Sequence, residues 1–362
     1  MVSNPGPVVG VSMTFKTIFA LATMGVGVAL STIPTQAADS PVRWKMQSWF
    51  PSKAPHAGST GKDIETKLDR LSGGTFKVRF HEPGALIPPN QCFEAVGKGS
   101  VQACWSTPAY WYGDEPALAL FSAAPFGMDW PGLMAWFYYG GGKEIYEELY
   151  AKHNMYAMPC GGMIPEASGW FKKEMKSVED FKGLRIRFLG LGALVLEELG
   201  ASTMLLGAAE LYPSLERGVI DATEFAAPSV DKALGLHEIV KYYYFPGWHQ
   251  LATIYDLMIN LDAWKALSDQ QKAMVEMVCG DNVRQAIALG ESMQADSLDF
   301  FKEKGVEIRR WSPEVLADLK KAWETVAARE SEKNADFKKT LESMETFRGR
   351  YKEWLNIGYL KD

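Results

Sequence analysis

Residues that alternate with a period of two are followed by residues with helical spacing, and this pairing occurs twice along the chain. That restricts the fold more than any single motif does. Val42 to Trp49 (VRWKMQSW) and Thr75 to His81 (TFKVRFH) alternate as strands do. Between them His56 to Leu71 has the spacing of a helix, stopped by Gly73-Gly74. A Pro-rich turn, a short helix over Gln91 to Val96 and a strand over Val101 to Trp105 add a second α-β step. From Met158 the pattern restarts, with strands near Gly169 to Lys172, Leu184 to Phe188 and Val219 to Phe225. Helices over Gly192 to Leu199 and Leu211 to Arg217 lie between them. Ser268-x-x-Gln271 is a capping box opening a helix that runs toward Leu298, and Ser312-Pro313-Glu314 opens another over Val315 to about Lys333.

These patterns predict an α/β protein with two lobes and a helical C-terminal third. The first lobe covers 38–162 and the second 163–256; 257–362 holds a strand returning to the first lobe and a helical C-terminal region. With 362 residues there is chain enough for two cores. No Gly/Ser linker separates the lobes, so several crossings must join them. The charge of −6 is not gathered into a basic stripe, and nucleic acid is not an expected partner.

The beginning of the chain has a different composition. No charge lies between Lys16 and Asp39, and Ile18 to Ile33 is an apolar run of 16 residues, short of the roughly 20 that span a bilayer. A lysine, that run, Pro34 and the small residues before Ala38 make a secretory signal peptide over 1–37, with Met1 or Met13 as its start. The leader predicts export and cleavage.

The four cysteines (Cys92, Cys104, Cys160, Cys279) lack C-x-x-C spacing, and each is expected as a buried small apolar residue; an oxidising compartment would allow disulfides without requiring them. The five histidines are single, so a histidine zinc site has no motif behind it. No G-x-S-x-G elbow, S-x-x-K, P-loop or G-x-G-x-x-G turn occurs, and nothing here favours an enzyme.

Two places carry chemistry. The run Leu211 to Phe225 delivers Glu224 at the end of a strand among Thr223, Phe225, Ala226, Ala227 and Pro228, where an unpaired carboxylate is costly. It needs a cation or a donor, and a paired structural glutamate answers that need as well as a ligand site does. In Gly183-Leu184-Arg185-Ile186-Arg187-Phe188 the period of two puts both arginines on one face, suited to capturing a carboxylate or to an internal ion pair. Aromatic clusters (Trp105, Tyr110 to Tyr112; Tyr242 to Phe245, Trp248) make core or line a pocket.

Taken in order, the signal peptide, Gly183 to Arg187, Tyr212 to Glu224, Tyr242 to Trp248 (YYYFPGW) and Asn260 to Trp264 (NLDAW) resemble the periplasmic solute-binding subunits of TRAP transporters. The most similar branch is the DctP-type, TakP-like one that binds 2-oxo acids. The resemblance implies a two-lobed α/β binding protein with a central cleft and long bridging and C-terminal helices, not an enzyme, that hands its solute to the small and large permease subunits in the membrane. It implies Arg187 on the substrate carboxylate. It also implies a sodium or calcium ion bridging to the substrate, with Glu166, Glu224, the Phe225 main-chain oxygen and Gln250 as ligands. Glu166 stands where the branch has Gln, and Gln250 where it has Glu, so two carboxylates remain for an all-oxygen cation site. Phe225 replaces a Trp and alters the aromatic wall, and Tyr110, Glu166 and Phe225 are expected against the substrate together with Arg187.

Pyruvate, other 2-oxo acids and lactate are the first candidates, with an aromatic or sugar acid as the alternative. A secreted metal-dependent 2-oxo acid lyase is a further reading, for which His249 beside Gln250 is the sole acid-base hint. The helix after Ser312, with Leu316, Leu319, Trp323 and Val326 on one face, packs on its own lobe or on a second subunit; a homodimer through this C-terminal region is the weaker expectation.

Overall fold

The computed structural model describes residues 40–360; the leader over 1–37 and its start lie outside them. The first alternating run is strand β1 (Val42–Ser48), followed by helix α1 (Ala57–Leu71) and β2 (Phe76–His81). Trp44 and Met46 on β1 and Phe76, Val78 and Phe80 on β2 are buried, so the period of two marks the core face directly. Helix α2 (Cys92–Gly97) leads to β3 (Ala103–Ser106), and α3 (Trp130–Tyr139) and α4 (Gly142–Ala151) lead to β4 (Met155–Met163).

The chain then builds a second sheet. It runs through β5 (Gly169–Phe171), β6 (Arg185–Arg187), α5 (Gly190–Glu198), β7 (Ser202–Met204), α6 (Ala208–Glu216), β8 (Ala222–Thr223), α7 (Pro228–Asp231) and β9 (Tyr242–Phe245). It returns to the first sheet in β10 (Thr253–Asn260), followed by α8 (Leu261–Lys265) and α9 (Asp269–Ser292). Next come α10 (Gln294–Glu303), β11 (Glu307–Arg310), α11 (Pro313–Lys333) and α12 (Ala335–Gly358).

The first sheet has the order β2-β1-β3-β10-β4, and the second β11-β9-β5-β8-β6-β7. β10 lies antiparallel between β3 and β4, so the first sheet closes only after the chain has visited the second. Apolar clusters run across both sheets: Trp111 and Leu118 share one with Ile186, Phe188 and Trp248.

Four details differ from the sequence reading. The return strand starts at Thr253, ahead of residue 257. The long helix opened by the Ser268 capping box breaks at Met293, where α10 turns onto α7. A strand, β11, stands inside the region read as helical; only Ile308 among its four residues is apolar, too little to show a period. Leu319, Trp323 and Val326 of α11 are buried within the chain, where α11 packs on α5 and α12, so that face is not open to a second subunit.

The cysteines are buried as expected but are paired, Cys92 with Cys104 and Cys160 with Cys279. The second bond joins β4 to α9 across 119 residues of sequence, and the packing of that helix on that strand brings the sulfurs together. No local spacing could have shown it.

At the centre of the first sheet, Asp256 is buried and accepts from Tyr146 at 2.8 Å, Tyr150 at 2.5 Å and Ser106 at 2.9 Å. Burial outweighs these hydrogen bonds and pushes its carboxyl up to about 6. The folded chain therefore holds a proton that the unfolded chain releases near pH 4, and stability falls as pH rises from about 4 to about 6, by roughly 3 kcal/mol from this group. In urea titrations across that window, Asp256→Asn is expected to remove this fall; an unchanged pH slope in the variant would show that Asp256 is not its source.

Candidate functional site

The second sheet ends in three short segments that meet at one place. Parallel pairing of β6 with β8 puts Arg187 beside Thr223, and Glu224 N–H donates to the Arg187 carbonyl at 3.1 Å. Arg187 and Glu224 are both buried, 3% and 0% exposed. Arg187 Nη1 donates to Glu224 Oε2 at 2.8 Å and to the Glu224 carbonyl at 2.7 Å, and Nε donates to the Leu206 carbonyl at 3.3 Å. Leu189 N–H also donates to Glu224 Oε2, at 3.2 Å. The guanidinium carbon stands 5.1 Å from the Phe225 ring centre, a cation-π contact.

The two arginines of β6 thus part company. Arg185 is half exposed and holds Asp221 with two bonds, Nε at 2.9 Å and Nη2 at 2.8 Å, which is the internal ion pair the sequence allowed. Arg187 alone belongs to the buried site.

The other site residues come from two of the segments that cross between the sheets. Glu166 follows β4, and His249 and Gln250 precede β10. The crossings are bonded to each other, Glu166 N–H to the Gln250 carbonyl at 3.2 Å and Gly247 N–H to the Glu166 carbonyl at 3.0 Å. A Cβ at Gly247 would lie 2.2 Å from that carbonyl oxygen, so only glycine permits the approach. Gln250 Nε2 donates to Glu166 Oε1 at 3.2 Å and to Thr253 Oγ1 at 2.7 Å.

Five polar atoms here are buried and have no hydrogen-bond partner: Glu166 Oε2, Glu224 Oε1, Gln250 Oε1 and both ring nitrogens of His249. Glu166, Glu224 and His249 each offer one ligand atom within 4.8 Å of the others. Three oxygens and a nitrogen, buried and unpaired, are the donor set of a cation site, and the residues present fit one.

The two carboxylates do not share charge equally. Burial, then the charges of Glu224 and Asp231, push Glu166 well above the usual carboxylate range despite Arg187. Burial acts upward on Glu224 too, but Arg187, His249 and the Leu189 N–H outweigh it and hold this carboxyl below the usual range. Burial and the neighbouring negative charges thus favour the protonated form of Glu166, while its positive and hydrogen-bonding partners favour the ionised form of Glu224.

From the first lobe, Tyr110 stacks on Trp49 at 4.2 Å between ring centres. Its phenol is pushed up to about 12 by burial, and it feels the charges of Arg187, Glu224 and Glu166. Tyr255, which the sequence reading did not single out, is buried on β10 and is raised by burial and by the same Glu166; Phe50 packs on it at 5.1 Å. No local pattern marks Tyr255. His249 was considered only as an acid or base, and its neighbour Gln250 is the one sign that it stands in the cluster. The lobes meet nearby, where His56 Nε2 and Ser229 Oγ share a hydrogen bond of 3.2 Å. A surface groove of about 880 Å³ between Tyr139 and Arg350 shares no residue with the cluster.

The model of bacterial extracellular solute-binding protein family 7 (DctP) matches residues 47–334. The chain belongs to this family. It is a solute-binding protein of the TRAP type, with the mixed α/β two-lobed fold of that class. A Nostoc sp. protein named as a monocarboxylate 2-oxoacid-binding periplasmic protein is 32% identical over 332 residues, covering 91% of this chain and 90% of that protein. A TRAP solute-binding protein of Bordetella bronchiseptica, a dimer crystallised with calcium and picolinate in its active site, superposes with a TM-score of 0.85 at 30% identity, over 88% of this chain and 95% of that one. One from Pseudoalteromonas atlantica with bound sodium and pyruvate gives 0.82 at 30% identity, over 87% and 96%.

In this DctP protein the buried ion pair sets a measurable contrast. Glu224→Gln leaves the Arg187 guanidinium buried without its counter-charge and is expected to lower unfolding stability by about 3 kcal/mol in chelator. Asp221→Asn, opposite half-exposed Arg185, is expected to change it far less. Equal losses in urea denaturation would contradict the division of the two arginines.

Proposed function

We propose that this protein captures a small monocarboxylate, a 2-oxo acid such as pyruvate or a 2-hydroxy acid such as lactate, and releases it to membrane permease subunits. The observation that carries this reading is the set of buried, unpartnered donors beside a buried arginine. Arg187 uses Nη1 and Nε on the protein, which leaves Nη2 for a carboxylate. Glu166, Glu224, Gln250 and the Phe225 main-chain oxygen would hold the cation. When bound, that cation supplies positive charge to the acid's carboxylate and 2-oxygen. The cations and small acids named for the Bordetella and Pseudoalteromonas proteins support the same chemistry.

Tyr110 and Phe225 form the aromatic wall against which the acid rests, with Glu166 on its cation side. Enclosure favours closed lobes, since only that state brings Tyr110 and the arginine to one ligand. The role is binding without turnover. His249, which a lyase would need as its acid or base, faces two carboxylates in the donor cluster. Export by the leader over 1–37 places the protein in the periplasm, a compartment in which the two disulfides persist. The end of α12 exposes Trp354 and Ile357, with Leu360 exposed just beyond it, and a homodimer would use this C-terminal face.

A thermal-shift panel of pyruvate, lactate, picolinate and dicarboxylates, with and without Na⁺, Ca²⁺ and chelator, tests the reading. A cognate acid at about 100 times its Kd is expected to stabilise the fold by about 2.7 kcal/mol, in a cation-dependent manner. Arg187→Ala should abolish the shift. No response to any small acid, or a full response in Arg187→Ala, would remove the proposal.

A further inference from the structure

The buried side chain that the all-oxygen cation site leaves unexplained is His249. Its ring is 1% exposed, held edge-on by Phe188 at 4.6 Å between centres and backed by Trp248 at 5.6 Å. The backbone behind it is close: a Cβ built on Gly192 would lie 3.0 Å from His249 Cβ and 2.5 Å from the Phe188 ring. The imidazole is therefore fixed in place. Neither Nδ1 nor Nε2 has a hydrogen-bond partner. A buried polar ring with both nitrogens unsatisfied calls for an explanation.

The distances supply one. His249 Nε2 stands 3.7 Å from Glu224 Oε1 and 3.9 Å from Glu166 Oε2. Those separations are too long for hydrogen bonds. An imidazolium paired with either carboxylate would be drawn in to about 2.8 Å. Donors about 2.1–2.2 Å from one shared ion, at angles of roughly 110–120°, lie roughly 3.5–3.8 Å from each other, close to the 3.7 and 3.9 Å that separate His249 Nε2 from the two carboxylates, and all three ligand atoms lie within 4.8 Å of one another. Several ions fit such a spacing, and the nitrogen selects among them. Sodium and calcium take oxygen ligands, whereas imidazole suits first-row transition ions.

Charge points the same way. Two ionised carboxylates, one guanidinium and an incoming monocarboxylate leave two negative charges in a buried space. A divalent ion cancels both, and a monovalent ion leaves one uncompensated.

We propose that His249 Nε2 is a ligand of the cation beside Glu166 and Glu224, and that this nitrogen shifts the site's preference toward a divalent first-row transition ion such as Zn²⁺. The inference rests on the carboxylate-and-cation reading above and deepens it.

The test uses the mature protein stripped with chelator and titrated calorimetrically with ZnCl₂, MnCl₂, CaCl₂ and NaCl, together with pulsed EPR of the Mn²⁺-loaded protein. One Zn²⁺ per chain is expected to bind about 100-fold more tightly than Ca²⁺. The Mn²⁺ spectrum should show coupling to one imidazole nitrogen. His249→Asn should lose that coupling and about 30-fold or more of the Zn²⁺ affinity, while its Ca²⁺ affinity changes by less than about threefold. The EPR measurement on wild-type protein stands even if the variant does not fold. Absence of nitrogen coupling, or Ca²⁺ binding at least as tight as Zn²⁺, overturns the inference. If pyruvate then still binds with Ca²⁺ or Na⁺ through Arg187, the proposed function survives and only the ion's class falls. If pyruvate binds equally well with every cation removed, both fall.

Discussion

Arg187 and Glu224 are buried against each other where an unpaired charge of either sign would be hard to sustain, and the surrounding structure follows from how that pair is balanced. The guanidinium compensates one carboxylate but not two. Glu166, arriving from a crossing segment, lies beside that pair, and burial together with the charges of Glu224 and Asp231 pushes its carboxyl upward. The site is one positive charge short of holding both carboxylates ionised. It is shorter still once a carboxylate ligand enters. A cation resolves both deficits in one place, which is why unsatisfied oxygens and an arginine recur together here.

The fold makes this concentration of charge possible by where it crosses. Strands β6 and β8 end at the second sheet's edge and present Arg187 and Glu224 from rigid backbone. The segments between β4 and β5 and between β9 and β10 bring Glu166, His249 and Gln250 over that edge, and Gly247 lets them approach within a single backbone hydrogen bond. The first lobe adds Tyr110, Tyr255 and Phe50, an aromatic cover whose phenols sit in the field of the site's charges.

Much of the scaffold was legible because its period is local. β1, α1 and β2 each carry their buried residues at the spacing that their geometry requires, and the caps Ser268 and Ser312 stand at observed helix starts. The depth of Arg185 and Arg187 was not legible, since period alone assigns a face and not a burial. Neither was the pairing of Cys160 with Cys279, which depends on α9 lying along β4. Glu166 and Gln250 are 84 residues apart and no local pattern joins them; they were named together only through resemblance to a family. Tyr255 and the role of His249 needed the assembled site, because a lone aromatic or histidine in a strand or turn has no signature of its own.

The central claim is that the buried donors around Arg187 form one joint site for a cation and a carboxylate. A crystal structure of the mature protein grown with pyruvate tests it most directly. The account predicts an ion between Glu166 Oε2 and Glu224 Oε1, with the pyruvate carboxylate on Arg187 and within reach of that ion. Pyruvate bound elsewhere, or bound at Arg187 with both carboxylates still unligated, would contradict it.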